Sequence, residues 1–196
     1  MRKSIFLASL VLLLGVGTAA AQSTYTVDTV HSSVGFKIRH LVSKVSGEFT
    51  DFDAKLMVDF DNLDASSVEF TMKTASIDTG NEKRDDHLRS EDFFAAEKHP
   101  EISFRSTKIT KKEKDVYVVT GILTMRGVSN PVLVTVEYLG EIQAFGGTRL
   151  GFDVTTTVDR QDFDISWNRA LDQGGVVLGD DVDVFISLAA VLNEEE

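Results

Sequence analysis

The densest group of ionisable side chains lies within one stretch, residues 78–94. Its members are close enough in sequence to form a network of ion pairs and hydrogen bonds: Arg84, Asp85, His87 and Asp92. Such a network is suited to holding the charged group of a ligand, and it is also typical of ion pairs that only stabilise the fold. The three- and four-residue spacing in this stretch predicts a short helix over residues 81–91, with Asn81 as its N-cap.

The chain contains four candidate metal ligands of the histidine type: His31, His40, His87 and His99. They are widely spaced, and neither a His-Glu-x-x-His nor a Gly-x-Ser-x-Gly motif occurs. A lone histidine is more often a hydrogen-bonded structural residue than a ligand. We therefore expect no metal, no catalytic residue and no cofactor. The alternative hypothesis is a metal-dependent enzyme in which His31, His40, His87 and nearby carboxylates meet across strands.

Composition excludes several classes of function. The 196 residues include no cysteine, so disulfides, thiol catalysis and cysteine-ligated metals are absent. Acidic residues outnumber basic ones by 31 to 20, a net charge of −11. A chain this acidic is not expected to bind nucleic acid, because non-specific binding depends on neutralising phosphates with Lys and Arg.

The N-terminus has the pattern of a secretory signal peptide. Arg2 and Lys3 precede an apolar run over residues 5–16, and three alanines end at Ala21. We expect cleavage before Gln22, a periplasmic location and no stable membrane span afterwards. Removing residues 1–21 takes away two basic and no acidic residues, which leaves 31 acidic and 18 basic residues and a net charge of −13.

The rest of the chain alternates apolar and polar residues with period two, which predicts strands. We expect about eight, at residues 34–40, 47–58 with a bulge near Asp51, 68–72, 102–109, 115–126, 131–139, 149–159 and 182–190. No linker or repeat divides residues 22–196, so one antiparallel all-β domain is expected. Closure into a barrel or a two-sheet sandwich would hide the sheet edges. One short helix and a long rim loop, residues 165–180, complete the prediction.

Several strands carry apolar residues on both faces, whereas too few helical residues are present to cover a sheet. This favours a barrel of about eight strands around an apolar cavity that holds one small ligand. Nine side chains are predicted to line it: Phe36, Ile38, Phe70, Met72, Phe104, Leu123, Met125, Phe152 and Val154. Arg84, His87 and Arg126 lie at irregular connections that could form the barrel mouth, where cations would hold the head group of a ligand.

These features together resemble the YceI-like family of periplasmic proteins, often described as polyisoprenoid-binding. The resemblance covers nearly the whole chain after Ala21 and is most specific over residues 76–104. It rests on the following positions: Asp28, His31, Ser32, Phe36, His40, Gly47, Phe49, Ser76, Ile77, Asp78, Thr79, Asn81, Arg84, Asp85, His87, Leu88, Asp92, Phe93, Phe94, Pro100, Ile102, Phe104, Gly121, Leu123, Arg126, Gly127, Pro131, Arg160, Asp162, Phe163, Gly179, Asp181 and Val182. Asp164 stands where the resemblance leads us to expect glycine, which argues against a positive-φ turn there.

The resemblance implies an extended, lipocalin-like antiparallel β-barrel with an isoprenoid lipid or another amphiphile inside, and it implies no catalysis. The leading hypothesis is a protein that binds a long-chain isoprenoid, such as a quinone or polyprenyl derivative, for transport, storage or sequestration. The metal-dependent enzyme and a surface interaction module are the two competing hypotheses. A homodimer is also compatible with the sequence.

Overall fold

The computed structural model describes residues 23–172 and 174–193. The predicted signal peptide lies outside these residues. Within them the chain forms eleven strands and one α-helix. The strands are β1 Ser23–Val27, β2 Ser33–His40, β3 Ser43–Phe49, β4 Phe52–Val58, β5 Ser67–Lys73, β6 Ile77–Asp78, β7 Glu101–Glu113, β8 Val116–Met125, β9 Val128–Ala144, β10 Gly147–Asp159 and β11 Leu178–Leu192. The helix is α1 Glu82–Arg89, and Arg160–Phe163 forms a 3₁₀ turn.

Eight of the strands form a closed antiparallel ring in the order β1, β4, β5, β7, β8, β9, β10, β11, and β1 pairs again with β11. Closure leaves no free edge within the ring. The predicted all-β class and the antiparallel barrel of about eight strands are therefore confirmed.

β11 is long enough to pair with two strands along one edge. β1 pairs with its C-terminal end, where Tyr25 faces Leu192, and β2 pairs with the rest, where Val34 faces Ile186. β3 and the short β6 continue outward from β2. These three strands extend the sheet outside the ring, and α1 follows β6 in the chain.

Three local predictions were wrong. Residues 47–58 do not form one bulged strand, because the chain turns at Thr50 and Asp51 so that β3 pairs with β2 while β4 pairs with β1. The strand predicted from residue 131 begins earlier, at Val128, because Arg126 and Gly127 alone make the turn with φ of 51° and 78°. Pro131 therefore lies inside β9, opposite Ile122.

The third concerns Asp164, which has φ of 58° and ends the Arg160–Phe163 turn. Its backbone N–H donates to the carbonyls of Arg160 and Gln161. Aspartate tolerates the left-handed region better than most residues other than glycine, so the turn forms without the expected glycine. The predicted helix and the long rim loop are both present, the helix two residues shorter at its C-terminal end and the loop ending where β11 begins at Leu178.

Hydrogen bonds between charged side chains link the junction of β1 and β2 to β10. The Asp28 carboxylate accepts hydrogen bonds from the ring of His31 at 2.9 Å and from the guanidinium of Arg149 at 2.8 Å. The bond from His31, and next that from Arg149, hold the pKa of the Asp28 carboxyl below its ordinary value.

This lowered pKa makes a prediction about acid stability. A carboxylate whose pKa is lower in the folded state stabilises the fold above its unfolded pKa, of about 4, and that contribution is lost as the pH falls through the folded value. Asp28→Asn should therefore lower the melting temperature at neutral pH and make its decline below about pH 4 shallower. Thermal melts across this pH range measure both effects. The exposed Asp64→Asn variant serves as the control, and identical profiles for the two variants would contradict the prediction.

Candidate functional site

The barrel interior contains two adjoining cavities, of about 510 Å³ and 180 Å³, called cavity 1 and cavity 2 below. Four side chains line both cavities, and the place where they lie is called the constriction below: Met72, Leu123, Val158 and Val184. They come from β5, β8, β10 and β11, and thus from four different parts of the ring. The two cavities therefore adjoin at these four side chains, and together they are called the tunnel below.

Cavity 1 is the larger of the two, and several exposed side chains lie in its lining. Its walls are the inner faces of β2 and β11 together with α1 and the loop after Ile165. The mouth is defined by these exposed or half-buried lining residues of the β2–β3 hairpin, of α1 with its N-cap, and of the rim loop: His40, Val45, Asn81, Lys83, Arg84, His87, Trp167 and Val177. The mouth thus lies between α1, the β2–β3 hairpin and the rim loop.

Cavity 2 lies further along β11, toward the other end of the barrel, and among the described residues no charged side chain lines it. Phe60 covers its far end, with its ring 4.7 Å from that of Tyr138 and 6.2 Å from that of Tyr117, measured between centroids. Burial, and next the carboxylate of Glu141, raises the pKa of Tyr138. The rings of Phe60 and Tyr117, which line cavity 2, make this end suited to apolar groups.

All nine predicted pocket residues lie in the lining of the tunnel. Phe36, Ile38 and Met125 line cavity 1, and Met72 and Leu123 line both cavities at the constriction. The remaining four line cavity 2: Phe70, Phe104, Phe152 and Val154. Their contact with a ligand stays a prediction.

The charge of the lining is one-sided. Among the described residues, every ionisable side chain that lines cavity 1 is basic: His40, Lys83, Arg84, His87 and Arg160. In the same part of the chain no aspartate or glutamate lines either cavity, although the chain as a whole carries a net charge of −11. A negatively charged or hydrogen-bond-accepting group at the mouth would meet these donors and cations.

Helix α1 positions most of these cations. Its N-cap is Asn81, whose side chain accepts a hydrogen bond from the backbone N–H of Arg84 at 3.0 Å. The predicted network divides into two parts. Arg84 donates to the hydroxyl and carbonyl of Thr79 at 2.6 and 2.8 Å, and the buried Asp85 accepts from the same hydroxyl and from the backbone N–H of Thr79 at 3.0 Å.

The second part of the network surrounds His87. Nε2 of His87 lies 2.9 Å from the carboxylate of Asp92. The imidazole ring lies nearly perpendicular to the rings of Phe93 and Trp167, at centroid distances of 5.0 and 5.1 Å. His87 is therefore held between a carboxylate and two aromatic rings, with one side facing the cavity.

Arg126 occupies a different place from the other two predicted head-group residues. Its guanidinium donates to the backbone carbonyl of Asp164 and, at 2.8 Å, to that of Glu91. Among the described residues that line the two cavities, Arg126 does not occur. This geometry favours a role in joining the β8–β9 turn to the rim loop, and its predicted contact with a head group has no support from the cavity lining.

The sequence analysis did not assign several lining residues of cavity 1 to the pocket, among them Lys83, Leu88 and Trp167. Lys83 and Leu88 could have been found, because residues 83, 84, 87 and 88 share one face of a helix. Trp167 could not, since no periodic pattern places a residue of an irregular loop against a helix.

The metal hypothesis finds no cluster to support it. Within residues 23–172 and 174–193, no group of three or more His, Cys, Asp or Glu side chains is arranged to hold a metal ion. His40 and His87 both line cavity 1, whereas His31 pairs with Asp28 elsewhere.

Within the residues that the structure describes, no helix is long and apolar enough to cross a membrane.

Residues 25–190 match the family described as the YceI-like domain. A UPF0312 protein from Photorhabdus laumondii is 43% identical over 156 residues, which span 78% of this chain and 80% of that one. The crystal structure of BcnA from Burkholderia cenocepacia superposes with a TM-score of 0.73 at 26% identity, over 83% of this chain and 98% of that one.

A more distant structure shares the fold alone. It is a polyisoprenoid binding domain from Saccharophagus degradans, implicated in plant cell wall breakdown, with a TM-score of 0.63 at 13% identity. The superposition covers 86% of this chain and 98% of that one.

Proposed function

Because the chain belongs to the YceI-like family, we propose that its barrel binds a long-chain isoprenoid or a similar amphipathic lipid, with the tail in the two cavities and the head group at the mouth. The observation that carries this proposal is the division of the tunnel: the basic side chains line cavity 1, and the described walls of cavity 2 are uncharged. An amphiphile has the same division of polarity along its length.

The size of the tunnel supports a chain-like ligand. Each methylene buried from water contributes roughly 0.8 kcal/mol, so about ten give roughly 8 kcal/mol before the costs of binding are subtracted. A ligand confined to cavity 1 leaves the apolar walls of cavity 2 unfilled, whereas a long tail that passes the constriction contacts both. The affinity is therefore expected to rise with chain length until the tunnel is full.

The head group is proposed to lie against Lys83, Arg84 and His87. A phosphate or pyrophosphate gains charge-assisted hydrogen bonds from these side chains. The surplus of acidic residues elsewhere opposes this little, because salt screens exposed charges beyond about 8 Å. A quinone would use the same donors without needing their charge.

The proposed role is binding and not catalysis, carried out in the periplasm after removal of residues 1–21. Transport, storage and sequestration all need reversible enclosure of a tail. The Saccharophagus domain supports this as a precedent for the fold.

The binding proposal is tested by native mass spectrometry of protein expressed with its own signal sequence, followed by lipid extraction and identification. We expect a substoichiometric to stoichiometric lipid adduct that is lost on extraction, and uptake of added polyprenyl phosphate by the extracted protein. A protein that is repeatedly empty and takes up neither polyprenyl phosphate nor quinone would overturn the proposal.

The head-group assignment predicts a difference between ligands. Lys83→Ala and Arg84→Ala should weaken the binding of a polyprenyl phosphate by about tenfold or more, because each removes one charge-assisted contact of about 1.5 kcal/mol or more. The binding of a quinone with the same tail should change little. Isothermal titration with both ligands measures the difference.

The exposed Lys112→Ala, on β7, is the matched control for the loss of one positive charge. Lys83 is the cleaner probe, since Arg84 also supports Thr79 through two hydrogen bonds. Equal losses for both ligands would indicate that these residues support the fold and do not contact the head group.

A further inference from the structure

Four aliphatic side chains project into solvent around the mouth of cavity 1. Val42 is fully exposed at the tip of the β2–β3 hairpin, and Leu41 beside it is 41% exposed. On the rim loop, Leu171 and Val176 are 40% and 38% exposed. These four residues are called the apolar rim below.

The apolar rim is joined directly to the opening. The backbone N–H of Leu41 donates to the carbonyl of Val177 at 2.8 Å, which fastens the hairpin tip to the rim loop. The flanking residues His40 and Val177 line cavity 1. A ligand that leaves through the mouth therefore passes next to these side chains.

The backbone at the hairpin tip is unusual for its sequence. Leu41 has φ of 53°, in the left-handed region that glycine and asparagine adopt readily and leucine rarely. Two-residue hairpin turns normally use Asn-Gly or Asp-Gly, and this turn uses Leu-Val. Val42 gains nothing from burial in the protein and Leu41 is only partly covered, so the turn holds apolar side chains at the surface.

The exposed charges near the apolar rim include several cations. Arg39, Lys83 and Arg169 are exposed, and none has an ion pair with a carboxylate in the described part of the chain. Lys44, next to the tip, pairs with Asp183 at 2.8 Å; the acidic residues nearby are Asp172 on the rim loop, and Asp180, which pairs with Arg160, and Asp181 at the start of β11. Unpaired cations around exposed aliphatic side chains are the features by which a protein surface attaches to an anionic membrane.

We propose that the apolar rim inserts into the surface of an anionic phospholipid bilayer, so that a lipid passes between membrane and cavity 1 without crossing water. This inference rests on the proposed function. Val42 and Leu171 enter the boundary between head groups and acyl chains, and Arg39, Lys83 and Arg169 face the lipid phosphates. The mouth of cavity 1 then faces the bilayer.

The test is cosedimentation with vesicles of phosphatidylethanolamine and phosphatidylglycerol, compared with vesicles of phosphatidylcholine alone. Wild-type protein should bind the anionic vesicles more strongly, and added salt should weaken that binding. The double variant Val42→Asp, Leu171→Asp should lose about tenfold or more of the binding, because it places two carboxylates at the anionic surface.

Phe145→Asp is the matched control. Phe145 is 96% exposed and has φ of 52° at the tip of the β9–β10 hairpin. That tip lies beyond Arg149, which pairs with Val191 near the end of β11, whereas His40 pairs with Leu178 at its start. The two tips are therefore at opposite ends of the barrel. Equal loss of vesicle binding in both variants would overturn the proposal.

A second measurement separates this inference from the proposed function. Uptake of polyprenyl phosphate from a cyclodextrin carrier should be the same for wild type and the double variant, while uptake from vesicles should be slower for the variant. Absence of uptake from cyclodextrin by either protein would contradict the proposed function. Equal uptake rates from vesicles for the two proteins would contradict the docking proposal and leave the proposed function standing. The same holds if wild type is a dimer, the double variant is a monomer and both bind vesicles equally, because the apolar rim would then be a dimer contact.

Discussion

Val184→Phe is expected to divide the tunnel into two separate cavities and to abolish the preference for long tails. Val184 lies at the constriction and lines both cavities. A phenylalanine ring has room there, because open space of about 510 and 180 Å³ lies on either side. The fold should therefore tolerate the larger side chain better than a well-packed core would.

The expected size of the effect follows from the methylenes that can no longer enter cavity 2. Losing the burial of about three of them, at about 0.8 kcal/mol each, weakens binding roughly fiftyfold. A short tail that fits in cavity 1 should bind as before. Competition titrations with geraniol, farnesol and geranylgeraniol measure this dependence, since these alcohols differ only in the number of isoprene units.

The control for Val184→Phe is Thr155→Phe, which adds the same ring to the exposed outer face of β10. Thermal melts of both variants check that the barrel is intact. If the two variants bound the whole series of alcohols alike, the tail would not pass the constriction and the two-cavity arrangement of the ligand would be wrong.

The barrel could be predicted from the sequence because period-two alternation is a local signal that survives in every long strand. Where the alternation shifts phase, the prediction needed information about pairing. Phe49 and Phe52 are out of phase, which fits one bulged strand as well as two strands, and only the partners of β3 and β4 distinguish these arrangements.

Strand β8 carries apolar residues on both faces, which predicts the barrel correctly, but a cavity explains only one of the two faces. In the sequence these apolar residues indicate a cavity. Tyr117 and Leu123 do line the tunnel, whereas Ile122 is 39% exposed. An internal cavity accounts for the inner face only, and the structure gives no reason for the apolar outer residue.

The shape of the tunnel could not be predicted, because it depends on contacts between residues far apart in sequence. A Cβ at Gly121 would lie 2.3 Å from the ring of Phe104, and one at Gly47 would lie 2.4 Å from the ring of Phe36. Each aromatic ring thus lies over a glycine and is held in its place along the wall. Recognising such a pair requires the register of the strands, which no single strand encodes.

Arg160→Ala is expected to give the largest loss of stability, because its guanidinium joins the rim loop to β11. Arg160 is 3% exposed. It donates to the carbonyls of Gly179 and Trp167 at 2.9 Å each, to that of Ile165, and to the carboxylate of Asp180 at 2.9 Å.

Removing the guanidinium of Arg160 leaves buried carbonyls without donors, which should lower the free energy of unfolding by about 3 kcal/mol or more. Urea denaturation measures this loss. Trp167 is the only tryptophan in the chain, so its emission reports on the rim loop without interference. Loosening of the loop should shift that emission to longer wavelength before the barrel unfolds.

Arg105→Ala is the matched control, since its guanidinium bonds to the exposed Glu69 on the barrel surface. An exposed ion pair of this kind is worth about 0–1 kcal/mol. If Arg160→Ala prevents folding altogether, Arg160→Lys keeps the charge and part of the hydrogen bonding and should show an intermediate loss. If Arg160→Ala were as stable as Arg105→Ala and its tryptophan emission were unshifted, the buried arginine would not be what holds the rim loop. The loop would then be held by the packing of Trp167 against His87 and Phe93, whose ring centroids lie 5.1 and 5.2 Å from that of Trp167.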